Sequence, residues 1–278
     1  MASARVTEAG GIITVTIERE AKRNAINPEV TRTLWDAVRA LAARDDLRCL
    51  VITAVGAYFT AGIDILAAAQ AREAASSAPA EQQPGWAYRR DYRDHHLLYD
   101  EMEAIEKPVI LAAQGICLGA GVEMALSCDF RFCTPSAEWG LPEVSLGVIP
   151  GSGGTSRLTR IVGPAWAKYL TMTGERIGAE RAHAIGLVHE IFPAETFQAD
   201  VAAFARRLVE LPAEAVGLAK LAVDLATDVT DRSAQRHVDR LINTTLTGSQ
   251  TYRDRLKAFA SRRRRGEGKD QSATDEHS

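Results

Sequence analysis

Three short, almost wholly apolar runs restrict the fold of this chain more than any other feature: RCLVITA at 48–54, PVILAAQG at 108–115 and FRFCT at 130–134. Runs this short rarely make a buried helix, and they lack the alternation of a strand with one wet face. They suit strands covered on both sides, as in a parallel sheet between helices. GGIITVTIE at 10–18 alternates and is β-branched, so it reads as a further strand. Between these lies a helix pattern over 26–46, with Asn27 at the N-cap and Pro28 at the first helical position. Val30, Leu34, Val38 and Leu41 give that helix one apolar face. Strands alternating with helices predict an α/β fold assembled from βα units.

Two further segments set the expected domain organisation. Residues 67–96 begin helical, break at 76–84 and resume with Trp86, Tyr88 and Tyr92. An excursion this long is either a lid over a binding site or a surface segment whose aromatics pack on a neighbouring subunit. After Phe192 the chain is helical by pattern over 194–211, 212–228 and 233–265, and the polar stretch 266–278 is expected to be disordered. The expected division is a core over 1–200, a helical region over 201–265 and a tail.

A net charge of −3 gives no reason to expect nucleic acid as a partner. Cys49, Cys117, Cys128 and Cys133 form no CxxC and no cluster with histidine, so no metal is expected and the thiols read as small buried hydrophobes. No apolar stretch reaches the ~18 residues of a membrane span, and no basic-then-apolar leader opens the chain. The expected location is the cytoplasm.

Chemistry concentrates where a turn and glycines precede a helix. In GAYFTAGIDILAAA a strand ends, Gly62 permits an unusual backbone angle, and Asp64 stands where a helix N-cap would. In QGICLGAGVEMALS, Gly119, Ala120 and Gly121 bend the chain into a helix carrying Glu123 among Met124, Ala125 and Leu126. Free N–H groups at such helix starts favour negative charge, and two aimed at one point would form an oxyanion hole. A carboxylate in an apolar helix is rare unless paired or used. Glu143, in GLPEVSLGVIPGSGGTSRL, is a second acid in apolar surroundings, either solvated at a loop edge or desolvated. Two acids beside an oxyanion hole suit proton transfer at carbon next to a carbonyl.

In order and spacing, RNAIN, FTAGIDI, KPVILAAQGICLGAGVEMALSCDFRFC, GLPEVSLGVIPGSGGTSRLTRIVG and TGERIGAERAHAIGLVHEIF resemble the enoyl-CoA hydratase/isomerase (crotonase) superfamily, along nearly the whole chain. The resemblance implies a spiral of ββα turns with C-terminal helices that pack across trimers or dimers of trimers. It places oxyanion-hole N–H groups on Ile63 and Ala120, and acid–base chemistry on Glu123 and Glu143. It places coenzyme A contacts near Lys22, Ala25, Ala61, Gly62, Asp64, Ile65 and Gly119. Alanine at 120 departs from the family's usual glycine, and Leu66 stands where some relatives carry a lysine for the adenine side. Arg262 to Arg265 either reach nucleotide phosphates or complement their own helix end. Gly151 stands where the dienoyl isomerase branch has an aspartate, and that argues for hydration. The implied activity is water addition to a 2-enoyl-CoA thioester, with no cofactor beyond the coenzyme A of the substrate. An isomerase, hydrolase or dehalogenase using the same enolate is the alternative, and an RNA-binding role a distant third.

Overall fold

The computed structural model describes the backbone of residues 2–66 and 85–272, and side chains in those ranges outside 85–94, 232 and 262–272. Strands β1 (Ala4–Ala9) and β2 (Ile12–Ile17) form an antiparallel hairpin turning at Gly10 and Gly11. Gly10 is thus turn rather than strand, and β1 is a strand that periodicity does not reveal, since only Ala4 of its six residues is buried. Helix α1 (Pro28–Ala43) then starts as expected, with the Asn27 side chain accepting a hydrogen bond from the Val30 N–H at 2.9 Å.

From β3 to β8 the strands alternate between two sheets. β3 (Cys49–Ala54), β5 (Val109–Ala113), β7 (Phe130–Cys133) and β10 (Glu190–Ile191) extend the first sheet in parallel from β2. β4 (Tyr58–Thr60), β6 (Ile116–Leu118) and β8 (Glu138–Gly140) run parallel in the second, closed by antiparallel β9 (Arg176–Gly178). Up to β8 each turn of chain gives one strand to each sheet, the spiral of ββα units that the family resemblance implies.

The expected double burial is visible residue by residue. Leu50, Ile52 and Ala54 of β3 join Val109, Leu111 and Ala113 of β5 in one apolar cluster. Cys49, Val51, Ile110 and Ala112 face the opposite side, with Phe132. The helix Phe197–Glu210 covers that side with Phe197, Val201 and Ala205 spaced four apart. Phe204 sets its ring edge-on at 4.9 Å from Phe130 and 4.8 Å from Phe132. This helix crosses residue 200 intact, and the first compact unit runs through Glu210. The sheet needs the whole helix as its outer layer.

The second unit, Leu211–Ser278, holds the helices Ala213–Asp228, Arg232–Thr247 and Gln250–Ser272. The single helix expected over 233–265 breaks at Gly248, where the Ser249 hydroxyl accepts from the Tyr252 N–H at 3.1 Å and starts a new one. That helix continues through Ser272, so much of the expected disordered tail is helical. Once a helix is nucleated, each further residue adds a hydrogen bond. Residues 273–278 and 67–84 lie outside the described residues, as do the side chains of Trp86, Tyr88, Tyr92 and Arg262 to Arg265. The expected lid therefore overlaps the described structure only where the helix Gly85–Ala104 begins. Among the described residues no helix is long and apolar enough to cross a membrane. All four thiols are buried, and burial pushes Cys49 and Cys133 up to about 12.

Truncating Phe197, only 2% exposed, removes the anchor of the outer layer. Phe197→Ala should lower the unfolding free energy by about 3–5 kcal/mol in urea titrations. A loss below ~1 kcal/mol would mean that this helix is not part of the first unit's core.

Candidate active site

The second sheet ends where the chemistry is expected. β4 and β6 are adjacent and parallel, with Thr60 paired to Cys117, so the two strands end within one residue of each other. On the β4 side a two-stranded ladder fixes the backbone: the Ala61 N–H donates to Arg23 O, the Ile26 N–H to Gly62 O and the Asp64 N–H to Ile26 O. Because Gly62 and Asp64 make the bonds to Ile26, the N–H of Ile63 faces away from that ladder. Gly62 has φ 97, and a Cβ built on it would lie 3.2 Å from the Leu118 carbonyl and 3.6 Å from the Ala120 nitrogen. The Ile63 and Ala120 amides thus belong to touching turns.

On the β6 side Gly119 adopts φ 56 and ψ −123, a conformation that residues with a Cβ avoid. Ala120, which follows, begins the helix Ala120–Leu126 and is not among the residues with positive φ. Alanine therefore fits there without strain. Within the described residues neither the Ile63 nor the Ala120 N–H has a protein acceptor. Two unengaged donors just past the ends of parallel strands, one at a helix start, are the kind of groups that can receive negative charge.

Both acids reach this point. Glu123 lies one turn along the helix, its N–H bonded to Gly119 O at 3.1 Å, and is 1% exposed. Its Oε1 accepts from the amides of Ser152 at 2.6 Å and Gly154 at 3.3 Å. Burial raises its pKa to about 7; the two amides oppose the rise and the nearby charge of Glu143 adds to it. Glu143 sits in the short 3-10 turn Pro142–Leu146, and burial also raises its pKa. A Cβ on Gly119 would lie 3.0 Å from Glu143 Oε1, so only glycine lets this carboxylate approach so closely. Glu143 Oε2 is buried with no protein donor among the described residues. Of the two settings open to Glu143, the desolvated one holds.

The other expected contacts lie on the two segments, 22–26 and 61–65, that the ladder at Ile26 pairs. Lys22 is exposed at the end of the 3-10 turn Glu20–Lys22, and Ile65 is 57% exposed. Ala25 and Asp64 are joined by a residue that the motifs did not single out: the Arg19 guanidinium donates to Ala25 O and pairs with the Asp64 carboxylate at 3.1 Å. Asn24, fully buried at φ 53, ties this loop down by donating to Val55 O and Tyr58 O, both at 2.7 Å. Asparagine tolerates the left-handed region, and that is the one sequence cue to its role. Among the described residues no group of His, Cys, Asp and Glu could hold a metal.

The sequence pattern of the enoyl-CoA hydratase/isomerase family matches residues 7–267. A crotonyl-CoA hydratase of Syntrophomonas wolfei is 34% identical over 256 residues, covering 89% of this chain and 91% of that protein. A 1,2-epoxyphenylacetyl-CoA isomerase of Escherichia coli is 30% identical over 253 residues, with 91% and 93% covered. The crystal structure of an enoyl-CoA hydratase from Bacillus anthracis superposes with a TM-score of 0.84 at 28% identity, covering 94% of this chain and 96% of that one.

The raised pKa of Glu123 has a stability consequence whose sign is definite. Unfolded, the carboxyl has its ordinary value of 4.5; folded, it holds its proton up to about 7. Folding is therefore favoured below 4.5, and the ionised group opposes it above 7. Glu123→Gln keeps an acceptor for both amides and removes the buried charge. It should raise unfolding free energy at pH 8 by up to ~3 kcal/mol, with the gain gone below pH 4.5. Equal stability of the two proteins at pH 8 would show that Glu123 ionises in the fold at no cost.

Proposed function

The chain belongs to the enoyl-CoA hydratase/isomerase family, and within it we propose that this protein adds water across the 2,3 double bond of an enoyl-CoA thioester. The observation that carries the reading is the presence of two desolvated carboxylates, Glu123 and Glu143, beside the Ile63 and Ala120 amides. A double-bond shift needs one group to move a proton between carbons. Water addition needs a base for the water and an acid for the carbon, and two separately placed acids suit that division.

In this reading the thioester oxygen accepts from the Ile63 and Ala120 N–H groups, which hold the enolate charge as it develops. Glu123, its Oε1 fixed by two amides, takes a proton from a water that attacks C3. Glu143, over Gly119, gives a proton to C2. A carboxyl that titrates near neutrality loses and regains its proton with little driving force either way. The reaction uses carboxylates and amides and neither oxidises nor reduces the substrate. The paired segments carrying Lys22, Ala25, Asp64 and Ile65, braced by Arg19, would receive the coenzyme A portion. Exposed Val223, Leu241 and Phe259 in the C-terminal unit are apolar surface of the kind that the expected association into trimers would cover.

The isomerase alternative rests on the family's own description as hydratase/isomerase, and it gives a product of unchanged mass where hydration adds one water. A panel of 2-enoyl-CoA thioesters, followed by loss of the conjugated absorbance, should show turnover for at least one acyl group. Glu123→Gln and Glu143→Gln should each reduce kcat by about 10²–10⁴ with KM little changed. Near-full turnover in either variant would rule out the two-acid division. The wild-type rate should fall on acidification through about pH 7, as the base Glu123 gains its proton. A rate flat down to pH 5 would remove Glu123 from the role of base.

A further inference from the structure

The helix Gly85–Ala104 touches both halves of this site through side chains that the proposed reaction does not use. Tyr99, 1% exposed, donates its hydroxyl to the Ala120 carbonyl at 3.1 Å. The Ala120 carbonyl and N–H belong to one residue, so holding the first limits the rotation that would swing the second out of the oxyanion hole. The next turn reaches the other half. Asp100 and Glu103 pair with the Arg157 guanidinium at 2.5 and 2.7 Å, and Arg157 is 5% exposed.

Arg157 in turn sits under the loop that grips Glu123. Its Nη1 lies 3.4 Å from Ser152 O, and a Cβ built on Gly153 would lie 2.0 Å from that nitrogen. The Ser152 and Gly154 amides on either side are the two donors to Glu123 Oε1. A bidentate guanidinium with two carboxylates is a stiff link, so the loop is referenced to the helix rather than to itself.

We infer that the helix Gly85–Ala104 is the positioning element of the site, with Tyr99 setting the oxyanion hole and Arg157 setting the loop that aims Glu123. Neither residue touches substrate. The inference rests on the proposed reaction for the role of Glu123, but the oxyanion hole is testable without hydration.

The test separates the two ties in the full-length protein. Acetoacetyl-CoA, a 3-oxoacyl thioester whose enolate has its own absorbance, reports the hole at equilibrium; kcat on the best enoyl-CoA reports the whole reaction. Tyr99→Phe removes only the hydroxyl. It should weaken the enolate band and lower kcat by about tenfold, with KM and melting temperature near wild type. Arg157→Met should lower kcat at least as much and leave the enolate band intact, and Arg157→Lys should recover part of the loss. A Tyr99→Phe protein with wild-type band and kcat would overturn the inference. So would two variants that lose band, turnover and melting temperature in parallel, since that pattern marks general loosening. A wild type that shows the band but hydrates nothing would sink the hydratase reading alone, leaving Tyr99 to be judged by the band. A wild type without the band would remove the hole, and this inference with it.

Discussion

The burial of one carboxylate, Glu123, sets the terms for everything around it. Taking an ionised carboxyl out of water is costly unless donors replace the lost hydration. Here two backbone amides do so, and only in part: the group still titrates near 7. Complete compensation would give an inert carboxylate of ordinary acidity, and none would keep it protonated throughout. The partial compensation leaves a group able to exchange a proton at neutral pH, and Glu143, its pKa raised by its own burial, stands near it.

That balance depends on backbone more than on side chains. The Ile63 and Ala120 amides come from neighbouring turns because two parallel three-residue strands end within a residue of each other, with Gly62 and Gly119 at positive φ in the turns that follow. The donors to Glu123 come from a glycine loop, and Glu143 approaches over a residue without a Cβ. Positions that would be filled by side chains elsewhere are filled here by peptide groups. Peptide groups are fixed by the fold, so they need little reorganisation when charge develops. Rigid packing of the two sheets, with apolar clusters on both faces of the larger one, is what holds them to that geometry.

The sequence shows best whatever has an apolar or a chemical signature. The strands at 48–54, 108–115 and 130–134 are legible because burial on both faces leaves few polar interruptions, Thr53 and Arg131 being buried exceptions. Glu123 is legible because a charge among Met124, Ala125 and Leu126 has no ordinary structural use. β4, β6 and β8 are not, because three residues are too few to show a period; neighbouring strands, not propensity, make them strands. β1 is hidden by its single buried residue. Arg19, Tyr99 and Arg157 are hidden for another reason. Their partners stand 45, 21 and 57 positions away for the Asp64, Ala120 and Asp100 contacts, and only the folded chain brings them together. Ser152 and Gly154 act through amides that every residue possesses, so no residue type announces them.

The central claim is that a thioester oxygen sits on the Ile63 and Ala120 amides with Glu143 facing its α carbon and Glu123 its β carbon. A crystal structure with a 3-hydroxyacyl-CoA bound measures this directly. The account predicts the thioester oxygen at about 2.7–3.1 Å from both nitrogens, with the 3-hydroxyl in hydrogen-bond reach of Glu123. A thioester oxygen bonded to neither amide, or a 3-hydroxyl directed away from both carboxylates, would contradict it.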